Sequence, residues 1–175
     1  MASCEDSCKG NNSKNKTADM ADILSIDLKD EAATEALARR LAALARDGEQ
    51  LALRGDLGTG KTVFARAFIR SLCGLDTEVP SPTFTLVQTY DTPDGRLLFH
   101  FDLYRLEDPE EALQLDIDDA FADGVSLIEW PDRLGGYLPR NHLEVALSHG
   151  ETKSERRCVL TGSGEWAERL KELSP

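Results

Sequence analysis

The sequence predicts an α/β domain of three layers built on a mixed central sheet. Short apolar runs alternate with segments of helical period, which is the signature of strand–loop–helix units. Near the C-terminus two alternating runs flank a polar turn, adding a hairpin to an otherwise parallel pattern. Between one predicted strand and the helix after it lies "GDLGTGKT", residues 55–62. The 175 residues suit one domain, and 41% hydrophobic with 30% charged residues is the balance of a soluble protein.

Residues 1–20 are polar and aperiodic and are expected to be a disordered tail ahead of a single domain over 21–175, with Met20 a second candidate start. "ILSIDL" (23–28) reads as a short strand. The stretch after it reads as a helix capped by Asp30, with Ala33, Leu37, Leu41 and Leu44 on one face and Gly48 at its end. "QLALR" (50–54) is a compact apolar strand that runs into the glycine loop. "TVFARAFIRSLCG" then places Phe64, Phe68 and Leu72 on one helix face, with Gly74 as its terminator.

The prolines make residues 79–84 a loop. "TFTLVQTY" and "GRLLFHFDLY" are strands joined by the turn "DTPDG". "DPEEALQL" opens with a capping aspartate, a proline at the first helical position and glutamates in the first turn. The acids from Glu107 to Asp123 read as that helix start and a solvated face, or a dock for a basic partner. "VSLIEW" is a buried strand, "HLEVALS" and "RRCVLTG" form a hairpin around "HGETKSE", and "SGEWAERLKEL" is a short helix.

Several function classes are disfavoured. No apolar run approaches the ~20 residues of a membrane span, and the N-terminus lacks the apolar core of a secretory signal. Cys4 and Cys8 have neither a nearby histidine nor a second pair, so free thiols in a reducing, cytoplasmic compartment are expected rather than zinc. The net charge is −12, and since three lysines balance three acids within residues 1–19, the domain carries the excess. Such a body is a poor ligand for a phosphate backbone. Protein partners are expected rather than autonomous nucleic-acid binding, although a local basic patch would be compatible with the total.

The glycine loop fits the G-x-x-x-x-G-K-[ST] pattern in the strand-to-helix context that a phosphate-binding loop requires. Its glycines let backbone N–H groups wrap an anion, and the helix adds its positive N-terminus. Asp56, Leu57, Gly58, Thr59, Gly60, Lys61 and Thr62 are the expected phosphate contacts, with Lys61 on the outer phosphates and the Thr62 hydroxyl on Mg²⁺. Asp102 closes an apolar run, the placement of a metal-associated acid in this fold. The next residue is leucine, so a second acid must come from elsewhere. Glu129 ends the strand "VSLI" and is the candidate to orient water or help hold Mg²⁺.

Trp130 reads as a core residue that could also pack on the base or a moving loop, and Thr83 as a structural loop residue that could also sense the γ-phosphate. His100, between two phenylalanines, reads as a packed structural residue; Arg105 and Arg133 read as salt-bridge partners.

Taken together and in order, "GDLGTGKT", "SPTFTLV", "HFDLYRL" and "IEWPDR" resemble the TsaE (YjeE) family of bacterial P-loop ATPases over roughly Ile23 to Gly162. The resemblance implies a P-loop NTPase-like fold. It also implies an ATPase, using ATP, ADP and Mg²⁺, of the pathway that makes threonylcarbamoyladenosine (t6A) in tRNA. TsaD and TsaB are the implied partners, and ATP hydrolysis supports turnover of their complex. By matching positions it makes Lys61 and Thr62 the phosphate and Mg²⁺ contacts, Asp102 the Walker B acid, Thr83 the switch residue, and Glu129 with Trp130 a functional pair. "DEAAT" resembles the segment near the base, which puts Glu31 and Thr34 there. Three positions depart from the family: Thr59 for alanine, Pro80 for a polar residue and Asp116 for glycine.

Two other readings stand beside this one. A small-molecule P-loop kinase would need an acceptor site and an arginine lid, and no arginine cluster is present. A non-enzymatic switch would use ATP occupancy alone to set partner affinity.

Overall fold

The computed structural model describes residues 22–173; the predicted tail, with Cys4, Cys8 and Met20, lies outside them. Seven strands form one sheet: β1 (Asp22–Leu28), β2 (Gln50–Arg54), β3 (Val87–Asp91), β4 (Leu97–Asp102), β5 (Gly124–Glu129), β6 (Leu143–His149) and β7 (Arg156–Gly162). Their order is β1-β7-β6-β2-β5-β4-β3. The inner pairs β6–β2, β2–β5 and β5–β4 are parallel, and β1–β7, β7–β6 and β4–β3 are antiparallel. The sheet is therefore mixed, as expected. Burial follows from this placement: β5 is buried throughout and β2 nearly so, whereas β6 alternates over its first five residues.

One sheet face is covered by α1 (Glu31–Leu44) and α2 (Lys61–Cys73). Leu37, Leu41, Phe64 and Phe68 from these helices share a core with Leu51, Leu53, Leu127 and Val145. Each such fully buried side chain contributes about 1.5–3 kcal/mol. The opposite layer is thinner. It consists of a 3-10 helix (Pro109–Leu115), the short α3 (Ile117–Asp123) and a 3-10 segment (Pro131–Tyr137), which cluster Ala112, Ile117, Ala120 and Leu134 with Phe101 and Ile128. The short α4 (Glu165–Leu170) returns Trp166 and Leu170 to the larger core. Among the described residues no helix is long and apolar enough to cross a membrane.

Three local expectations change. Helix α1 does begin at an Asp30 cap, whose carboxylate accepts the Ala33 N–H at 2.8 Å, but it ends at Leu44. Gly48 instead sits in the turn into β2, with φ +78° and its N–H on the Gly124 carbonyl at 3.0 Å. The strand expected from Thr83 starts only at Val87, because Leu86 adopts a left-handed φ of 65° and its N–H closes on the Pro82 carbonyl at 2.7 Å. The acidic stretch before β5 contains a helix of its own, α3, whose Ile117 and Ala120 are buried. Asp116 is left-handed at φ 51° between the two helical pieces, a conformation glycine adopts at least cost.

Candidate active site

The register of the parallel strands builds the site. Leu53 of β2 lies opposite Glu129 of β5, and Glu129 lies opposite Asp102 of β4. The glycine loop and both acids thus emerge at one edge of the sheet, the carboxyl end where open α/β sheets bind ligands.

The loop glycines have distinct tasks. A Cβ on Gly55 would lie 2.2 Å from the Leu147 carbonyl oxygen, so β6 packs directly against the loop's entry. Gly58 and Gly60 have φ of +80° and +103°, and a Cβ on either would meet nothing within 4 Å. They supply conformation and an open cradle. Gly60 is also the N-cap of α2 and offers no side-chain cap to the first-turn N–H groups.

Lys61 is 5% exposed. Its Nζ donates to the carbonyls of Gly55 (2.7 Å) and Asp56 (2.9 Å) and sits 4.0 Å from the centre of the Trp130 ring. Burial pushes the ammonium below the ordinary lysine range, while Glu129, Asp102 and Asp56 pull it back up. Trp130 holds its place through a left-handed φ of 60° and packs against Tyr104, ring centres 5.0 Å apart.

Glu129 is 2% exposed and held from two sides. Its Oε2 accepts the Thr62 hydroxyl at 3.0 Å, and its Oε1 lies 2.9 Å from His100 Nε2. Asp102 faces the switch segment: Oδ2 accepts Thr83 Oγ1 at 2.7 Å and Ser81 Oγ at 3.2 Å, and Oδ1 accepts the Tyr104 N–H at 3.2 Å. The four proposed centres Lys61, Thr62, Asp102 and Glu129, with Thr83 and Trp130, line one cleft of about 320 Å³.

Glu31 and Thr34 do not reach this cleft. They line an adjoining cavity of about 300 Å³ on the outer side of the loop, which shares Gly58 and Gly60 with the first. A larger depression, about 550 Å³, lies between the end of β1 and the β6–β7 turn; it holds neither Lys61 nor the two acids and is not the better candidate on size alone.

The donor set suits magnesium. No group of three His, Cys, Asp or Glu side chains able to cage a metal occurs among the described residues. A hydroxyl and one or two carboxylates is what a Mg²⁺ ion shared with nucleotide phosphates uses.

His100, read as a packed structural residue, is wholly buried; it also holds Glu129, and its Nδ1 has no hydrogen-bond partner among the described residues. The signal was present, because the two-residue strand period puts His100 on the same face as Asp102. Ser81 and Tyr104 were also missed; Ser81 lies in the same short motif as Thr83. Arg105 stacks on the Phe84 ring at 4.6 Å, where a salt bridge was expected.

Fold and loop together are those of a P-loop NTPase-like protein. Residues 28–158 match the family model described as threonylcarbamoyl adenosine biosynthesis protein TsaE. The chain is 42% identical over 134 residues to a tRNA threonylcarbamoyladenosine biosynthesis protein TsaE from Rickettsia bellii, covering 77% of this chain and 92% of that one. It is 41% identical over 143 residues to the protein of the same name from Bacillus subtilis, covering 81% and 87%. The crystal structure of Bacillus subtilis YdiB superposes with a TM-score of 0.71 at 32% identity, over 88% of this chain and 95% of that one. The chain belongs to the TsaE family.

Proposed function

We propose that this chain is the magnesium-dependent ATPase of a tRNA t6A modification system, hydrolysing ATP to ADP to support turnover of a TsaB–TsaD complex. The observation that carries the reading is the bond from Thr62, at the head of α2, to Glu129, with Asp102 in register beside it. This brings loop hydroxyl and strand-end acids to one point.

Thr62, Glu129 and Asp102 would hold Mg²⁺, which when bound offsets charge on the phosphates and polarises the bond that breaks. Lys61 would exchange its two loop carbonyls for phosphate oxygens, regaining the opposite charge that its burial lacks. Glu129, fixed by His100, orients water through whichever oxygen faces it. Thr83 would leave Asp102 when the γ-phosphate draws the segment in, which couples cleft occupancy to the loop outside. The acidic domain leaves tRNA to the partner proteins, and a cytoplasmic location fits that role.

The kinase reading is weaker, because nearby arginines are engaged elsewhere: Arg54 with Asp132 and Glu144, Arg105 with Phe84. The deciding measurement is ATP hydrolysis by the chain alone and with TsaB and TsaD, beside Lys61→Ala. Stimulation by the partners that the variant abolishes supports the proposal. Transfer of phosphate to a small acceptor instead would establish the kinase.

A further inference from the structure

The chain leaves β5 through a conformation that needs support. Trp130 has φ 60° and ψ 50°, a left-handed backbone that a bulky side chain keeps only where its surroundings hold it. Backbone bonds fix the chain on either side. The Glu129 carbonyl accepts the Leu103 N–H, and the Trp130 carbonyl accepts the Arg133 N–H, both at 3.1 Å. Neither bond ties the 3-10 segment Pro131–Tyr137 to β2, the strand that carries the glycine loop.

Arg54 supplies that tie. Leu51 and Leu53 of β2 face the larger core, so the two-residue period turns Arg54 to the opposite face. Glu144 of β6 shares that face, because Leu143 and Val145 on either side of it face the larger core. The Arg54 Nε donates to Glu144 Oε2 at 2.6 Å, and its Nη1 donates to Asp132 Oδ1. A planar guanidinium with fixed donor directions thus joins β6 to the 3-10 segment across the end of β2. The contacts close a ring. Arg54 holds Asp132, two residues beyond Trp130. The Trp130 ring holds the Lys61 ammonium at 4.0 Å, and Lys61 returns to the carbonyl of Gly55, the neighbour of Arg54, at 2.7 Å.

We infer that Arg54 and Asp132 are positioning residues of the cleft: their ion pair holds Trp130 against Lys61 before any ligand arrives. The inference rests on the reading of the cleft as an ATP site. Trp130 forms one wall of that cleft, beside Lys61, Thr62 and Glu129. A wall already in place spares the ligand the cost of ordering it. If the indole kept its place for only about a fifth of the time without the pair, the apparent affinity would fall about fivefold. The Asp132 side chain is 75% exposed, so the pair adds little to global stability, which separates positioning from a purely structural role.

Tryptophan emission reads the position of the wall. The chain has two tryptophans; Trp166 is buried in the main core and Trp130 is half-buried at the cleft, so acrylamide quenches mainly Trp130. Three quantities are measured for the unaltered chain, Asp132→Ala, Asp132→Glu and Arg54→Lys: quenching without ligand, calorimetric binding of ADP with Mg²⁺, and the thermal midpoint. In Asp132→Ala quenching is expected to rise about twofold and affinity to fall about fivefold, with little change in midpoint. Asp132→Glu keeps the carboxylate and is expected to restore most of both. Arg54→Lys keeps the charge but cannot span both carboxylates, and is expected to lose part of both; it carries the same readouts if Asp132→Ala does not fold. Unchanged quenching or unchanged affinity in a folded Asp132→Ala overturns the positioning role, as does Asp132→Glu behaving like the alanine variant. If the unaltered chain binds no ADP, the ATP-site reading falls, and quenching alone decides whether the pair holds Trp130.

Discussion

His100 Nε2 lies 2.9 Å from Glu129 Oε1, from the neighbouring strand and two residues ahead of Asp102. A buried carboxylate that loses its donor costs about 1–3 kcal/mol. His100→Leu is therefore expected to lower stability by that order and to free the Glu129 side chain to rotate. The tightening of ADP binding by Mg²⁺ should then fall about tenfold, with His100→Gln recovering part of it. Calorimetric titrations with and without Mg²⁺ check this; full tightening in a folded leucine variant would show that His100 only fills space.

The loop glycines should separate in their effects. In Gly55→Ala the new Cβ meets the Leu147 carbonyl at 2.2 Å, and backbone must move. We expect a loss of more than about 3 kcal/mol, seen as a lower urea midpoint. Gly58→Ala meets no neighbour and carries only the left-handed penalty, about 1–2 kcal/mol. Its larger effect should be on ADP affinity, because the cradle loses its shape.

Thr83 clamps the segment that follows Pro82, and Leu86 holds that segment in a conformation costly for a branched side chain. Removing the hydroxyl in Thr83→Val leaves the longer Ser81 bond as the remaining side-chain tie to Asp102. Limited proteolysis should cut residues 81–86 several-fold faster in the variant, at a stability cost of about 1 kcal/mol. Equal cutting rates would show that the segment is held by packing alone.

Cys158 is wholly buried in the main core, and burial pushes its thiol up to about 12. The folded state therefore keeps the proton longer than the unfolded chain does. Its stabilising contribution is complete below the ordinary thiol range and is lost as pH rises from there through about 12. At about pH 8 iodoacetamide should leave Cys158 unmodified in the native protein and alkylate it on unfolding. Peptide mass spectrometry reads this residue separately from Cys4, Cys8 and Cys73.

What was legible in the sequence was local. The β2 run, the glycine loop and α2 are contiguous, so propensity, loop chemistry and period agree on them. The position of Glu129 beside the loop was legible because strand ends in such a sheet share an edge. Non-local terms hid the rest. The run from Thr83 to Leu86 alternates like a strand, but the hydroxyl bonds to Asp102 and the Leu86 turn override that tendency. Helix α3 was masked by its acids, which drew attention from the buried pair Ile117 and Ala120. Arg156 acts on carbonyls 97 and 98 residues away, and no local pattern announces such a contact.

The strand order has a consequence for biosynthesis. β2 is flanked by β5 and β6, both made long after it. A chain emerging from the ribosome thus carries the P-loop strand with both edges bare until residues 124–149 have followed. Pairings this distant form slowly, and bare edges invite pairing with other chains. Leu147 packs on Gly55 and Arg156 grips the loop crest, so the loop takes its shape only once nearly the whole domain is out. Fragments ending before the last hairpin should therefore not stay soluble.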